Sequence, residues 1–115
     1  MIRTELSLRL PNNAGAIAGV CRLLADEHVQ IVAMSLDPGG QCRLLVDNHV
    51  HAAGVLRERR HTVTERDVLV VDAAGGPAAL RLLAAADINI NYSYGGAALV
   101  VGVDDVLRAS AASGI

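Results

Sequence analysis

The residues that could do chemistry in this chain are few and scattered. His49 and His51, with Asp47 just before them, offer three metal-ligating side chains. Two imidazoles two positions apart converge poorly on a helix, and no further ligand is nearby, so the pair is expected to be a solvated helix start and not a metal site. Cys21 and Cys42 lack CxxC spacing and each sits in an apolar segment, which predicts reduced thiols inside a core. Arg57-Glu58-Arg59-Arg60 reads as a helix end, where cations meet the negative pole. Asn12 and Asn13 stand before an apolar periodic segment as natural N-caps. No Ser/His/Asp or Cys/His arrangement has the turn context of a nucleophile, and no Walker-type loop exists. No catalytic residue, metal or cofactor is therefore expected.

Composition narrows the field further. With 52% apolar residues the chain can bury a real core, which excludes disorder. That core must be aliphatic, because there is no Phe and no Trp, and the only aromatic residues are Tyr92 and Tyr94. Every basic side chain is Arg, a bias that fits a GC-rich coding genome better than a function. A net charge of −2 and the lack of aromatic stacking residues argue against nucleic acid. No apolar run approaches a membrane span, and the chain enters an alternating strand pattern without a signal peptide, so a cytoplasmic location is expected.

The elements that must position these side chains are set by an internal repeat. RLLADEHVQI at residues 22–31 recurs as RLLAAADINI at residues 81–90, with five of ten positions identical. In the first copy, residues 4–10 alternate as a half-buried strand with Leu6, Leu8 and Leu10 on one side. Pro11-Asn12-Asn13-Ala14-Gly15 is a turn, and Ile17, Val20, Cys21 and Leu24 form one apolar helical stripe over residues 15–28. Strands are predicted at residues 29–36 and 41–47, joined by an Asp37-Pro38-Gly39-Gly40 hairpin turn. A second helix is predicted over residues 50–60, capped by Asp47 or Asn48 with Val55 and Leu56 inward, and a short fourth strand over residues 62–65.

The second copy repeats this in reduced form. Strands are predicted at residues 68–72, 88–94 and 97–103, and a helix runs from Pro77 to about residue 86. A short last helix is capped by Asp104 or Asp105, and only Gly114-Ile115 remain where a fourth strand should be. The expected fold is α+β, a ferredoxin-like βαββαβ plan repeated in tandem, with residues 1–66 as the first copy and residues 67–115 as a second copy truncated at its last strand.

This pattern resembles the ACT domain, a small ligand-binding regulatory module, and specifically the free-standing proteins made of two ACT domains in tandem. The resemblance rests on Asn12-Asn13-Ala14-Gly15, Leu23-Leu24-Ala25 and Val29-Gln30-Ile31 in the first copy. In the second it rests on Leu82-Leu83-Ala84 and Ile88-Asn89-Ile90, and the segment His61-Thr62-Val63-Thr64-Glu65-Arg66-Asp67-Val68-Leu69 looks like the family's inter-repeat link. Ala14 stands where the family has Pro, Gln30 where it has Asn, and the second turn is a shortened Gly75-Gly76-Pro77.

The resemblance implies a non-catalytic regulatory protein that binds an amino acid where one domain's first turn faces a neighbouring domain. Asn12, with Asn13 in the same turn and the amides of Ala14 and Gly15, would hold the ligand's backbone. Helix-start amides suit a carboxylate, and an Asn side chain can both donate and accept. Gln30 and its repeat partner Asn89 would supply the side-chain contact. Against these roles stand plain ones: N-capping for Asn12 and Asn13, a solvated strand start for Gln30, and a polar strand rim for Asn89 with Asn91.

Two other functions are compatible with the same architecture. Acylphosphatases share the βαββαβ plan, but Arg9 points outward from its strand and the following loop lacks a glycine cradle. A regulatory subunit that binds an enzyme in trans without a small ligand is the second. The missing fourth strand would leave a sheet position unfilled, and exposed edges are usually covered, which predicts a homodimer.

Overall fold

The computed structural model describes residues 1–115. Six strands and four helices form in the order β1 (Ile2–Arg9), α1 (Ala16–Asp26), β2 (Ile31–Leu36), β3 (Gln41–Val46), α2 (His49–Glu58), β4 (Thr64–Asp72), α3 (Gly76–Ala85), β5 (Tyr92–Gly95), β6 (Ala98–Gly102) and α4 (Val106–Ser113). They fall into two compact units, Glu5–Arg66 and Met1–Thr4 with Asp67–Ile115. None of the helices is long and apolar enough to cross a membrane.

In the unit Glu5–Arg66 the strand order is β2-β3-β1-β4. Antiparallel pairing sets Leu6 opposite Leu44 and Leu8 opposite Cys42, so period-two alternation puts one leucine face of β1 and β3 toward α1 and α2. Val20 and Leu24 from α1, and Ala52, Ala53, Val55 and Leu56 from α2, close that core. Asn48 caps α2, its side-chain oxygen accepting the His51 amide at 3.2 Å. Both cysteines are free; Cys42 is buried, and that burial together with the neighbouring Cys21 pushes its thiol up to about 11.

The repeated sequence stretch is a helix stop followed by a strand start. After α1, His28 takes a left-handed φ of 58°, and the Val29 amide donates back to the Leu24 carbonyl at 2.9 Å. After α3, Asp87 has φ 57° and the Ile88 amide donates to the Leu83 carbonyl at 3.0 Å. This left-handed stop satisfies a late helix carbonyl, while Leu24 and Val29, or Leu83 and Ile88, pack into the core of their unit. Because residues 29 and 88 are still closing a helix, β2 begins at Ile31, not at residue 29. β5 begins only at Tyr92, and Asn91 donates its amide to the Gly102 carbonyl at 2.8 Å and its side chain to Asp104 at 2.9 Å.

In the other unit the order is β1-β4-β6-β5, with Leu69 opposite Val101 and Val71 opposite Leu99. Its core is Leu69, Val71, Ala79, Leu83, Val101, Val103 and Ala109, aliphatic throughout. Gly102 lies under Tyr92, where a Cβ would come within 2.3 Å of the ring, and the Tyr92 and Tyr94 rings stack at 6.3 Å between centroids.

Two expectations need correction. Residues 62–65 and 68–72 are not separate strands, since Thr64–Asp72 is one strand of nine residues. Its sequence contains no Gly or Pro to interrupt extension between the two apolar segments. The sheet position expected to be unfilled is also occupied. Met1–Thr4 lie beside β4, where the fourth strand of a complete copy would run. The Met1 amine donates to the Val70 carbonyl at 3.0 Å, and the Val70 amide returns a bond to the Met1 carbonyl at 2.8 Å. A chain lacking residues 1–4 is expected to lose amide-exchange protection along β4 and β6 while β3 keeps its own. Unchanged protection at Val70 and Val101 would show that Met1–Thr4 contribute nothing.

Candidate functional site

The β1–α1 turn forms one wall of a cleft of about 320 Å³, at the small end of the range for ligand pockets. Asn12, Asn13 and Ile17 line this side, and Leu36, Asp37 and Pro38 of the β2–β3 hairpin line the other. A close backbone approach holds the walls together. The Leu10 amide donates to the Gly40 carbonyl at 2.8 Å, and Gly40 has φ +88°. A Cβ on Gly40 would stand 2.4 Å from the Leu10 carbonyl oxygen, so the position requires glycine twice over.

The hairpin is fixed by its own polar groups. Asp37 accepts the Gln41 amide through Oδ1 at 2.9 Å, and its carbonyl accepts the Gly40 amide at 3.0 Å. Arg9 reaches from the end of β1 and donates from Nη1 to the Gly39 carbonyl at 2.7 Å. One Asp37 oxygen is thus committed to the turn, and the residue lines the cleft.

On the opposite wall the turn winds on itself. Asn13 accepts the Gly15 amide through Oδ1 at 3.2 Å, and its own amide donates to the Pro11 carbonyl at 2.9 Å. Gly15, not an asparagine, occupies the N-cap of α1, and no side chain caps that helix. The expected cap is corrected accordingly: Asn13 closes the turn one residue ahead of the helix. The Gly15 amide is consumed in that contact. The amides of Ala14, Ile17 and Ala18 have no acceptor within the chain, and the exposed Asn12 side chain has no partner. The cleft therefore has the start of α1, with its unsatisfied amides, on one side and the acidic residue Asp37 on the other.

Of the residues singled out from sequence, Asn12 and Asn13 line this cleft, with Ala14 and Gly15 in the same turn. Gln30 does not join them. It precedes β2 at the end remote from Leu36, where its amide donates to Asp47 at 3.0 Å and its carbonyl accepts the Asp47 amide at 3.1 Å. Asn89 belongs to the other unit, exposed in a shallow groove of about 260 Å³ beside Leu80, Asp87 and Ile90. It is not in a strand, so the expected shared face with Asn91 does not form. Sequence reasoning missed Asp37 and Pro38, whose Asp-Pro-Gly-Gly signature marks a turn without saying which other turn it faces. His49 and His51 sit in the first turn of α2, and no group of three or more His, Cys, Asp or Glu is gathered anywhere.

Neither a family model nor a curated relative matches the chain. Solved structures do. Protein BT0572 from Bacteroides thetaiotaomicron superposes with a TM-score of 0.84 at 22% identity, over 97% of this chain and 86% of that one. The aspartokinase alpha and beta subunits give 0.68 at 15% identity, over 97% and 92%. The regulatory subunit of aspartate kinase from Thermus thermophilus, in its ligand-free form, gives 0.66 at 16% identity, over 98% and 91%. The chain thus has the α+β, ACT-like fold of regulatory aspartate kinase subunits.

Gly40→Ala is expected to destabilise the chain by about 2 kcal/mol or more, because it combines a clash with a left-handed φ. Urea denaturation measures this, and a change under about 0.5 kcal/mol would mean that the close approach does not hold the cleft.

Proposed function

We propose that this chain is a non-catalytic regulatory module of the tandem ACT type that binds an amino acid in the cleft between the β1–α1 turn and the β2–β3 hairpin. One observation carries the reading: the start of α1, which has unsatisfied amides, and the acidic Asp37 belong to opposite walls of one cleft. A zwitterion is the small molecule that matches both walls, its carboxylate on the amides and its ammonium on Asp37 and Asn12. Asn13 and Gly15 shape the turn, and Ala14 contributes its amide. The likeness to regulatory subunits of aspartate kinase supports a regulatory role, with an enzyme partner acted on in trans. In this reading residues 1–66 and 67–115 are the two repeats, and free cysteines fit a cytoplasmic setting.

The ligand is tested by calorimetry on a panel of the twenty amino acids. At about 100 times its dissociation constant a ligand adds about 2.7 kcal/mol, or roughly 10 °C in melting temperature for a domain of this size. Asp37→Asn and Asn12→Ala are expected to shrink that shift and keep the fold. No response to any amino acid would refute the reading.

The homodimer has a different basis from the one expected. β2 pairs on one side only, with β3, and exposes Val32, Met34 and Leu36 at 45%, 43% and 50% of their surface. Leu36 also lines the cleft, so a second copy docked along β2 would wall the site and could bring its own Gln30 or Asn89 nearer. Light scattering is expected to return a dimer, and Met34→Glu with Leu36→Glu a monomer. A wild-type monomer at every concentration would remove this part of the proposal.

A further inference from the structure

Each unit carries a groove at the same place in its repeat. It lies where the unit's first strand ends, its third begins and its second helix is left behind. In the unit Glu5–Arg66 this groove measures about 370 Å³ and is lined by Ser7, Arg9, Arg60, His61, Thr62 and Thr64. In the other unit it measures about 500 Å³ and is lined mainly by apolar residues, Met1, Val70, Val71, Ala98 and Ile115, together with Arg3 and Asp72. The equivalence is set by topology. Arg9 pairs with Gln41 as Asp72 pairs with Ala98. The His61 amide closes α2 on the Leu56 carbonyl at 3.1 Å, as the Ile115 amide closes α4 on the Ser110 carbonyl at 3.2 Å.

The groove of the second copy is mainly apolar, and its one arginine is accompanied by a carboxylate, so the basic, hydroxyl-rich lining of the first is not demanded by the architecture. The residue after each helix also differs between the copies. α4 ends on Gly114 with φ +74°, and at the matching left-handed position α2 carries Arg60 with φ +67°. A side chain there is disfavoured relative to glycine, and Arg60 shares this left-handed stop with His28 after α1 and Asp87 after α3.

We propose that the Arg60–His61 groove binds an oxyanion, a phosphate or a carboxylate carried by a small molecule. Its lining residues include two arginines, a histidine and three hydroxyl side chains, and no Asp or Glu is among them. The side chains of Arg60 and His61 have no hydrogen-bond or ion-pair partner within the chain, so their donors are free for a ligand. Arg9 is tied to Gly39 and Gln41 through its two terminal nitrogens, and its charge still faces the groove. Glu5, the acid on the same strand face as Ser7, is buried with an interaction of its own. Planar guanidinium beside hydroxyl donors is the donor set that oxyanions prefer. The site is separate from the Asp37 cleft and does not rest on the amino-acid reading.

The test is an amide-resolved NMR titration of the full chain with inorganic phosphate and, separately, malonate, in low-chloride buffer. Saturable shifts are expected at Ser7 and residues 60–64, and whichever probe binds more tightly names the oxyanion class. Arg60→Gln and His61→Gln are each expected to weaken binding about tenfold or more. Arg60→Gly installs the residue that the other copy uses, and is expected to lose binding with a melting temperature unchanged or higher. Asn12→Ala and Asp37→Asn should leave these shifts intact, which keeps the two sites distinguishable. No saturable shift up to about 20 mM of either probe, or undiminished binding by Arg60→Gly, would overturn the proposal.

Discussion

The structure depends on two strands that each contribute residues to both compact units. β1 gives Met1–Thr4 to one unit and residues 5–9 to the other, and β4 is divided in the same way at Arg66 and Asp67. Buried backbone groups of a strand must be paired, and the reciprocal bonds between Met1 and Val70 do this for β4 within the unit of Met1–Thr4 and Asp67–Ile115.

The cleft follows from a second constraint, the contact of Leu10 with Gly40. Because no Cβ fits between them, the β2–β3 hairpin is drawn against the turn that starts α1. Asp37 is held there by the amides of its own hairpin, and Arg9 pins the tip from below through Gly39. The polar groups of the cleft are therefore positioned by backbone and by a neighbouring strand, not by loops free to drift. Asn13 contributes in the same manner, by closing a turn with its side chain and leaving Ala14, Ile17 and Ala18 with unsatisfied amides.

How much of this could be read from the residues depended on how local the physics was. The helices and the leucine face of β1 are local patterns of period and composition, and they appear in the structure as expected. So does the Asn48 cap of α2. The failures are all non-local or conformational. Thr64–Asp72 looked like two strands because its burial pattern changes partner midway, and a pattern of alternation does not state which sheet neighbour it faces. Strand starts at residues 29 and 88 were misplaced because left-handed His28 and Asp87 are ordinary letters in the sequence. Asp37 joined Asn12 only through the pairing register of β1 with β3. Gln30 was matched to a family motif by position along the chain, and β2 carries it to the far end of the strand.

The stacked pair Tyr92 and Tyr94 has a spectroscopic consequence. Without tryptophan or phenylalanine, these two rings on β5 are the chain's entire aromatic absorption and emission. Near-ultraviolet dichroism and tyrosine fluorescence therefore report the order of one four-residue strand. The aliphatic unit that holds the Asp37 cleft is optically silent, so loss of its packing would be invisible to these signals while β5 stayed ordered.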